Sequence, residues 1–223
     1  MNDKALRSRV KLFGNLLGNV LRDQESGRVL IAVETLRKGY IRLYKKESPK
    51  KRKQLSGFIR KLDPTMLTHV VRAFSTYFSL VNIAEEAFQH QQRRRIVRTN
   101  GPLWRGSFDS TIREFKERGI TPAELQTLLD SLAYIPVMTA HPTESKRRTI
   151  METLRRIFLS SEQLDDPRLS KRERDEVTEK LQDEIQLLWK TDEVRVHRPQ
   201  VKDEIRNGIF YFQDSLFQAD DLW

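Results

Sequence analysis

Apolar residues recur at helical spacing along most of this 223-residue chain. Near the start they step by three or four positions and so fall on one face of a helix, as is typical of a buried stripe: Leu6, Val10, Phe13, Leu17 and Leu21. The same spacing returns over residues 29–43, 67–88, 150–157, 177–188 and 205–219. This pattern predicts a mainly α chain with at least six helices packed on one another.

Local start signals accompany three of the predicted helices. Asp63 stands directly before Pro64, which places a capping side chain ahead of a proline at the first helical position. Thr121 and Ser170 each stand three residues before a glutamate, which is the spacing of a capping box. We therefore expect a helix to begin directly after Asp63, after Thr121 and after Ser170.

Two segments are strongly basic. Residues 45–61 carry eight Lys or Arg and a single acid, Glu47, and residues 93–98 carry four arginines. We interpret residues 45–57 as an exposed or disordered loop, and residues 93–108 as a connection that contains turn residues. Because no aromatic residues interleave either cluster to stack on bases, a nucleic-acid partner is not favoured.

Composition narrows the class of protein. Forty-one Lys and Arg against 31 Asp and Glu give a net charge of +10, and 11 Phe, 5 Tyr and 3 Trp supply material for a core. The absence of cysteine excludes a disulfide scaffold, a Cys zinc site and a thiol nucleophile. The chain has neither a signal-peptide core nor the roughly 18 consecutive apolar residues of a membrane span. We therefore expect a cytoplasmic protein with no membrane partner.

One segment departs from the helical pattern. Residues 134–140 are short, apolar, partly β-branched and interrupted by proline, so they predict a short buried strand. His141 follows this strand, and Pro142 keeps it out of the helical region of the backbone. A histidine between a strand and a helix is well placed for chemistry, with Arg147 and Arg148 on the next helix. The residues themselves leave two roles open for His141, catalytic or structural.

Two functions of other classes also fit parts of this pattern. A histidine-phosphotransfer protein is helical and exposes one reactive histidine, although Pro142 disfavours the mid-helix position that such a histidine needs. A helical nucleic-acid-binding protein would use the two basic clusters. No spacing of His, Asp and Glu resembles a closed metal site, so the sequence predicts no metal ligands in this chain.

Residues 137–149 carry VMTAHPTE followed by RRT, which resembles the catalytic-histidine motif of phosphoenolpyruvate carboxylase. Residues 188–195 read LWKTDEVR and resemble the tryptophan-threonine-aspartate-glutamate stretch that follows in that family. Further similar segments lie in the family's order at residues 6–8, 34–38, 71–74 and 198–208. The resemblance thus extends from near residue 5 to at least residue 218.

The resemblance implies a carbon–carbon lyase that converts phosphoenolpyruvate and bicarbonate to oxaloacetate and phosphate, a carbon-fixing step that feeds the tricarboxylic acid cycle. It implies that His141 is the base that deprotonates carboxyphosphate, and that Mg²⁺ or Mn²⁺ is the cofactor. Arg147, Arg148 and Arg195 are candidates for binding substrate, and the alternative is that they form structural ion pairs. When full length, such an enzyme is expected to be a homotetramer.

Members of this family are several times longer than this chain. The resemblance places their Gly-rich catalytic loop, metal ligands and phosphate-binding arginines in a later barrel portion. We therefore expect residues 1–223 to form the helical N-terminal portion of an α/β-barrel enzyme, with residues 134–140 as the first barrel strand. The C-terminal catalytic portion is absent, so more protein is expected to follow Trp223, and the chain alone is expected to be inactive.

Overall fold

The computed structural model describes residues 3–99, 101–133, 135, 147–192 and 200–213. Within these ranges it contains nine α-helices and no strand, which confirms the prediction of a mainly α chain. The helices are α1 (Asp3–Gln24), α2 (Gly27–Lys45), α3 (Pro49–Arg60), α4 (Pro64–Arg98), α5 (Phe108–Glu117), α6 (Pro122–Ser131), α7 (Arg148–Gln163), α8 (Lys171–Lys190) and α9 (Val201–Tyr211). No helix in the described ranges is both long and apolar enough to cross a membrane.

The first of two compact units comprises Met1–Phe88 and Arg147–Glu193. In this unit α7 packs on α8, α8 on α1, α1 on α2, and α2 on α3. The largest fully buried apolar side chains of the unit come from α1, α4, α7 and α8: Phe13, Val20, Leu21, Leu80, Ile157, Leu181 and Ile185. Most of them lie on the apolar stripes predicted from the sequence, so helical periodicity accounts for this core.

The second unit comprises Gln89–Lys146 and Val194–Trp223. Its helices α5 and α6 contain no buried residue. Large apolar side chains on this unit stay in contact with solvent; Phe108, for example, is 79% exposed. The guanidinium of Arg93 lies 5.2 Å from the centre of the Trp104 ring and shields one aromatic side chain. The described part of this unit therefore has little apolar core of its own.

All three predicted helix starts are confirmed. An Oδ atom of Asp63 accepts a hydrogen bond from the backbone N–H of Met66 at 2.9 Å, and α4 begins at the intervening proline. Thr121 and Ser170 both form reciprocal capping boxes with their glutamates. These signals were readable because a cap depends only on residues within one turn of it.

The prediction of a loop over residues 45–57 is wrong, although most of these residues are exposed as expected. Most of this segment is helix α3, and only residues 46–48 connect it to α2. Ser48 caps α3 by accepting a hydrogen bond from the N–H of Lys51, and Pro49 occupies the first helical position. Leu55 then anchors the helix by burying its side chain against α2. Lysine and arginine are good helix formers, so a basic run capped and anchored in this way folds as a helix.

The helix that carries the 67–88 stripe also extends further than expected. α4 continues through the arginine cluster to Arg98 and ends before Gly101, whose N–H donates to the carbonyl oxygen of Ile96 at 3.2 Å. The predicted connection therefore begins near residue 99 instead of 93. The predicted strand at 134–140 lies outside the described residues except for the exposed Ile135, so it stays a prediction.

Candidate functional site

The candidate residues that the structure describes lie at the beginning of α7. Arg147 is the N-cap residue of this helix, with an extended backbone and no capping hydrogen bond from its side chain. Arg148 is the first helical residue, and its Nε donates a hydrogen bond to Oε1 of Glu152 at 2.8 Å. The sequence left open whether Arg148 binds substrate or forms a structural ion pair, and this contact is such an ion pair. The guanidinium of Arg147 instead lies near Asp192, with Nη2 3.8 Å from Oδ2.

The end of α8 meets this beginning of α7. Thr191 is the C-cap residue of α8, and its hydroxyl donates to the carbonyl oxygen of Leu187 at 2.8 Å. Asp192 follows with its carboxylate turned toward Arg147. The fold thus brings the segment that follows the histidine motif next to the segment that carries the Trp-Lys-Thr-Asp sequence. Arg147 and Asp192, which meet here, are 45 positions apart in the chain.

A cluster of Arg72 on α4, Trp189 on α8 and Glu25, directly after α1, supports the end of α8, and sequence reasoning missed it. The guanidinium of Arg72 lies 5.1 Å from the centre of the Trp189 ring, and its Nη2 donates to the carbonyl oxygen of Thr191 at 2.9 Å. Trp189 in turn donates its Nε1–H to Glu25 at 3.1 Å. Segment 71–74 and Trp189 were noted only as parts of the resemblance. Residues this far apart in the chain show no shared spacing, so their contact was not readable from the sequence.

A groove of about 970 Å³ lies elsewhere in the first unit, between α1, α2 and α4. Its floor is largely apolar and includes Val10, Leu17 and Phe74, and neither Arg147 nor Arg148 lines it. Arg37 on α2 donates two hydrogen bonds to Glu34 at this groove, and this contact lowers the pKa of the Glu34 carboxyl. Because its lining carries none of the candidate residues, we do not place the functional site there.

The remaining candidates cannot be placed. His141 and Arg195 lie outside the described residues, and so do the strand and proline on which the prediction for His141 depends. Among the described side chains no three His, Asp or Glu residues come together as a metal site. The described geometry therefore establishes the surroundings of Arg147 and Arg148, while the role of His141 stays a prediction.

Comparison with known proteins decides the family. The family model described as phosphoenolpyruvate carboxylase matches residues 6–220. The chain belongs to the phosphoenolpyruvate carboxylase family. A protein of Roseiflexus castenholzii named phosphoenolpyruvate carboxylase is 36% identical over 95% of this chain and 23% of its own length. The protein of that name from Methylorubrum extorquens is 37% identical over 72% of this chain and 18% of its own length. The protein of that name from Ralstonia nicotianae is 33% identical over 97% of this chain and 22% of its own length.

Membership in the phosphoenolpyruvate carboxylase family confirms the resemblance that the motifs at 137–149 and 188–195 predicted. A match over nearly the whole chain also favours this family over the histidine-phosphotransfer and nucleic-acid-binding alternatives. The chain spans about a fifth of the length of the phosphoenolpyruvate carboxylases it matches.

Proposed function

We propose that this chain is the histidine-bearing portion of an enzyme that carboxylates phosphoenolpyruvate with bicarbonate to give oxaloacetate and phosphate. The observation that carries this proposal is the VMTAHPTE motif around His141 in a chain that matches the family over residues 6–220. The same family membership supports, as part of the proposal, a cytoplasmic homotetramer that supplies oxaloacetate to the tricarboxylic acid cycle.

The proposed chemistry has two steps with separate requirements. In the first, a bicarbonate oxygen bonds to phosphorus while the bond from phosphorus to the enol oxygen breaks, which gives carboxyphosphate and the enolate of pyruvate. In the second, His141 accepts the carboxyl proton of carboxyphosphate, whose C–O bond then breaks to release CO₂ and phosphate. The enolate carbon bonds to CO₂ and forms oxaloacetate. An imidazole suits the second step because its ordinary pKa lies near neutrality.

Arg147 and Arg148, at the start of α7, are the candidates for binding substrate in this proposal. Arg147 lies beside Asp192, with Nη2 3.8 Å from Oδ2, and its guanidinium has further N–H groups that can donate to an anion. Arg148 is engaged with Glu152, which makes it the weaker candidate for binding substrate. The described residues do not fit Mg²⁺ or Mn²⁺, since no three metal-binding side chains come together among them. We therefore derive no step of the reaction through the metal.

The proposal is tested on the complete product of the gene, supplied with phosphoenolpyruvate, bicarbonate and Mg²⁺. We expect oxaloacetate and phosphate to form in equal amounts, and both to depend on bicarbonate. Oxaloacetate is followed by reduction to malate, and phosphate by a colorimetric assay. Phosphate release that is independent of bicarbonate, or the absence of oxaloacetate, would contradict the proposed reaction.

A further inference from the structure

The Arg72 side chain contacts two groups at the end of α8. Its guanidinium lies over the Trp189 ring at 5.1 Å, and its Nη2 donates to the carbonyl oxygen of Thr191 at 2.9 Å. We propose that Arg72 is a positioning residue, which fixes the end of α8 so that Asp192 holds Arg147 in place to bind the phosphoenolpyruvate anion. This inference rests on the proposed function. Arg72 lies on α4 and acts on the proposed substrate site through the end of α8.

The surface against which Arg72 stacks is itself fixed. Trp189 is only 2% exposed, and its Nε1–H donates to Oε1 of Glu25 at 3.1 Å. The Nδ1 atom of His69 lies 3.6 Å from the same carboxylate oxygen. The indole is thus held by packing and by its hydrogen bond to Glu25, directly after α1, and so offers Arg72 a fixed surface. A stacked guanidinium can still donate in its own plane, which a lysine ammonium cannot do.

The carbonyl that Arg72 holds belongs to the C-cap residue of α8. Carbonyl groups in the last turn of a helix lack partners within the helix and carry partial negative charge, so a cation that donates to one of them is stabilising. Thr191 has an extended backbone with φ −91° and ψ 128°, and the chain leaves the helix axis at this residue. By holding this peptide Arg72 sets the direction in which Asp192 leaves α8.

Two features connect the end of α8 with the start of α7. Oδ2 of Asp192 lies 3.8 Å from Nη2 of Arg147 at the start of α7. Beside it, Arg72 and Thr191 line a small cavity of about 20 Å³ together with Ile150 of α7. A change at Arg72 therefore alters both the ion pair and the packing at the first turn of α7. Arg147 is the group whose position depends on it.

A double-mutant cycle in the complete protein tests this dependence. We expect Arg72→Ala to raise KM for phosphoenolpyruvate by on the order of 10-fold to 100-fold and to lower kcat by less than about threefold. In an Arg147→Ala background the same change at Arg72 should alter KM by less than about twofold, because the group on which it acts is already gone. Arg60→Ala, an exposed arginine on α3, is the matched control and should leave KM unchanged. Additive effects of the two substitutions, or an unchanged KM in Arg72→Ala, would overturn the proposal.

Hydrogen exchange separates this inference from the proposed function. The N–H of Thr191 donates to Leu187 at 3.0 Å, and the N–H of Ile150 donates to Arg147 at 2.9 Å. In the 223-residue chain, Arg72→Ala should speed exchange at both amides by at least about tenfold, while Arg60→Ala leaves both unchanged. Unchanged exchange in Arg72→Ala would overturn the positioning role even in an active enzyme. If the complete wild-type protein makes no oxaloacetate, the proposed function fails, and exchange still decides whether Arg72 fixes the end of α8.

Discussion

Gly39 lies where α2 packs against the Leu55 side chain of α3. A Cβ atom at this position would lie 2.5 Å from Cδ2 and 2.9 Å from Cδ1 of Leu55, which is buried. Both distances are shorter than van der Waals contact allows. Glycine inside a helix is ordinarily less favourable than alanine by about 1 kcal/mol, so the close approach explains why this position suits glycine despite that preference.

We therefore expect Gly39→Ala to destabilise the protein. Displacing the Leu55 side chain in a packed interface costs about 1–3 kcal/mol, which is more than the gain in helix propensity. Gly57, on α3, is the matched control, because a Cβ there meets no atom within 4 Å. Urea unfolding should show Gly39→Ala below and Gly57→Ala at or above the wild type. Equal stabilisation by both substitutions would show that α2 and α3 do not approach closely at Gly39.

At the scale of helices, α8 carries the clearest local signal in the chain. The backbone N–H of Glu173 donates to Oγ of Ser170 at 3.3 Å, and the backbone N–H of Ser170 donates to Oε2 of Glu173 at 2.7 Å. The hydrogen bond from the Ser170 side chain, followed by that from its backbone, lowers the pKa of the Glu173 carboxyl below its ordinary value of 4.5. Glu173 is therefore more easily protonated in the unfolded chain than in the folded one.

Two substitutions distinguish the effect of the capping hydrogen bond on stability from the effect of Glu173 titration. Ser170→Ala should lower the free energy of unfolding by about 1 kcal/mol at neutral pH. Because the folded-state pKa of Glu173 is lowered, its contribution is present above the ordinary pKa and is lost as the pH falls through the folded value. Glu173→Gln keeps a side-chain acceptor but cannot titrate, so its stability should fall less on acidification than that of the wild type.

The control for this pair of substitutions is Glu179→Gln, an exposed glutamate on the same helix. Thermal unfolding followed by circular dichroism from about pH 7 to about pH 3 measures the comparison. If Glu179→Gln reduced the acid sensitivity as much as Glu173→Gln, the capping box would not be its source.

The helices differ in how well the sequence predicts them. α4, α6 and α8 begin at caps formed by neighbouring residues, and α1 and α8 carry long apolar stripes, so all four were predictable. α3 was mistaken for a loop because its first turn is basic and only Leu55 is buried in it. α5 was not predicted, although Phe108, Ile112 and Phe115 recur on it at helical spacing, and none of its residues is buried. At its start, the backbone N–H of Ser110 donates to Oγ of Ser107 at 3.1 Å.

For the whole molecule, the candidate site was readable only where its residues are neighbours in the chain. His141, Arg147 and Arg148 stand within eight residues of one another, and the motif that holds them identified the family before any contact was known. The support that Arg72 gives to Thr191 joins residues 119 positions apart, and only the folded chain brings them together. The candidate site residues could therefore be predicted from the sequence, whereas the contacts that position them are visible only in the folded structure.

The catalytic role that we propose for His141 would distinguish the two steps of the proposed reaction. His141→Asn keeps the approximate size and some hydrogen bonding of the side chain but removes the proton acceptor. The first step, which forms carboxyphosphate and enolate, does not need this base, whereas release of CO₂ does. His90→Asn is the matched control, because His90 lies on α4 and contacts Arg94, with Nδ1 3.2 Å from its guanidinium. We expect that control to carboxylate phosphoenolpyruvate as the wild type does.

The ratio of phosphate to oxaloacetate produced by His141→Asn in the complete protein is the most direct measurement of this role. We expect bicarbonate-dependent release of phosphate and pyruvate to continue, while oxaloacetate formation falls by on the order of 10²–10⁴, the usual effect of losing a general base. The ratio should therefore rise far above the equal amounts that the wild type forms. If His141→Asn formed oxaloacetate and phosphate in equal amounts, His141 would be structural, and the chain would not carry the base of the carboxylation.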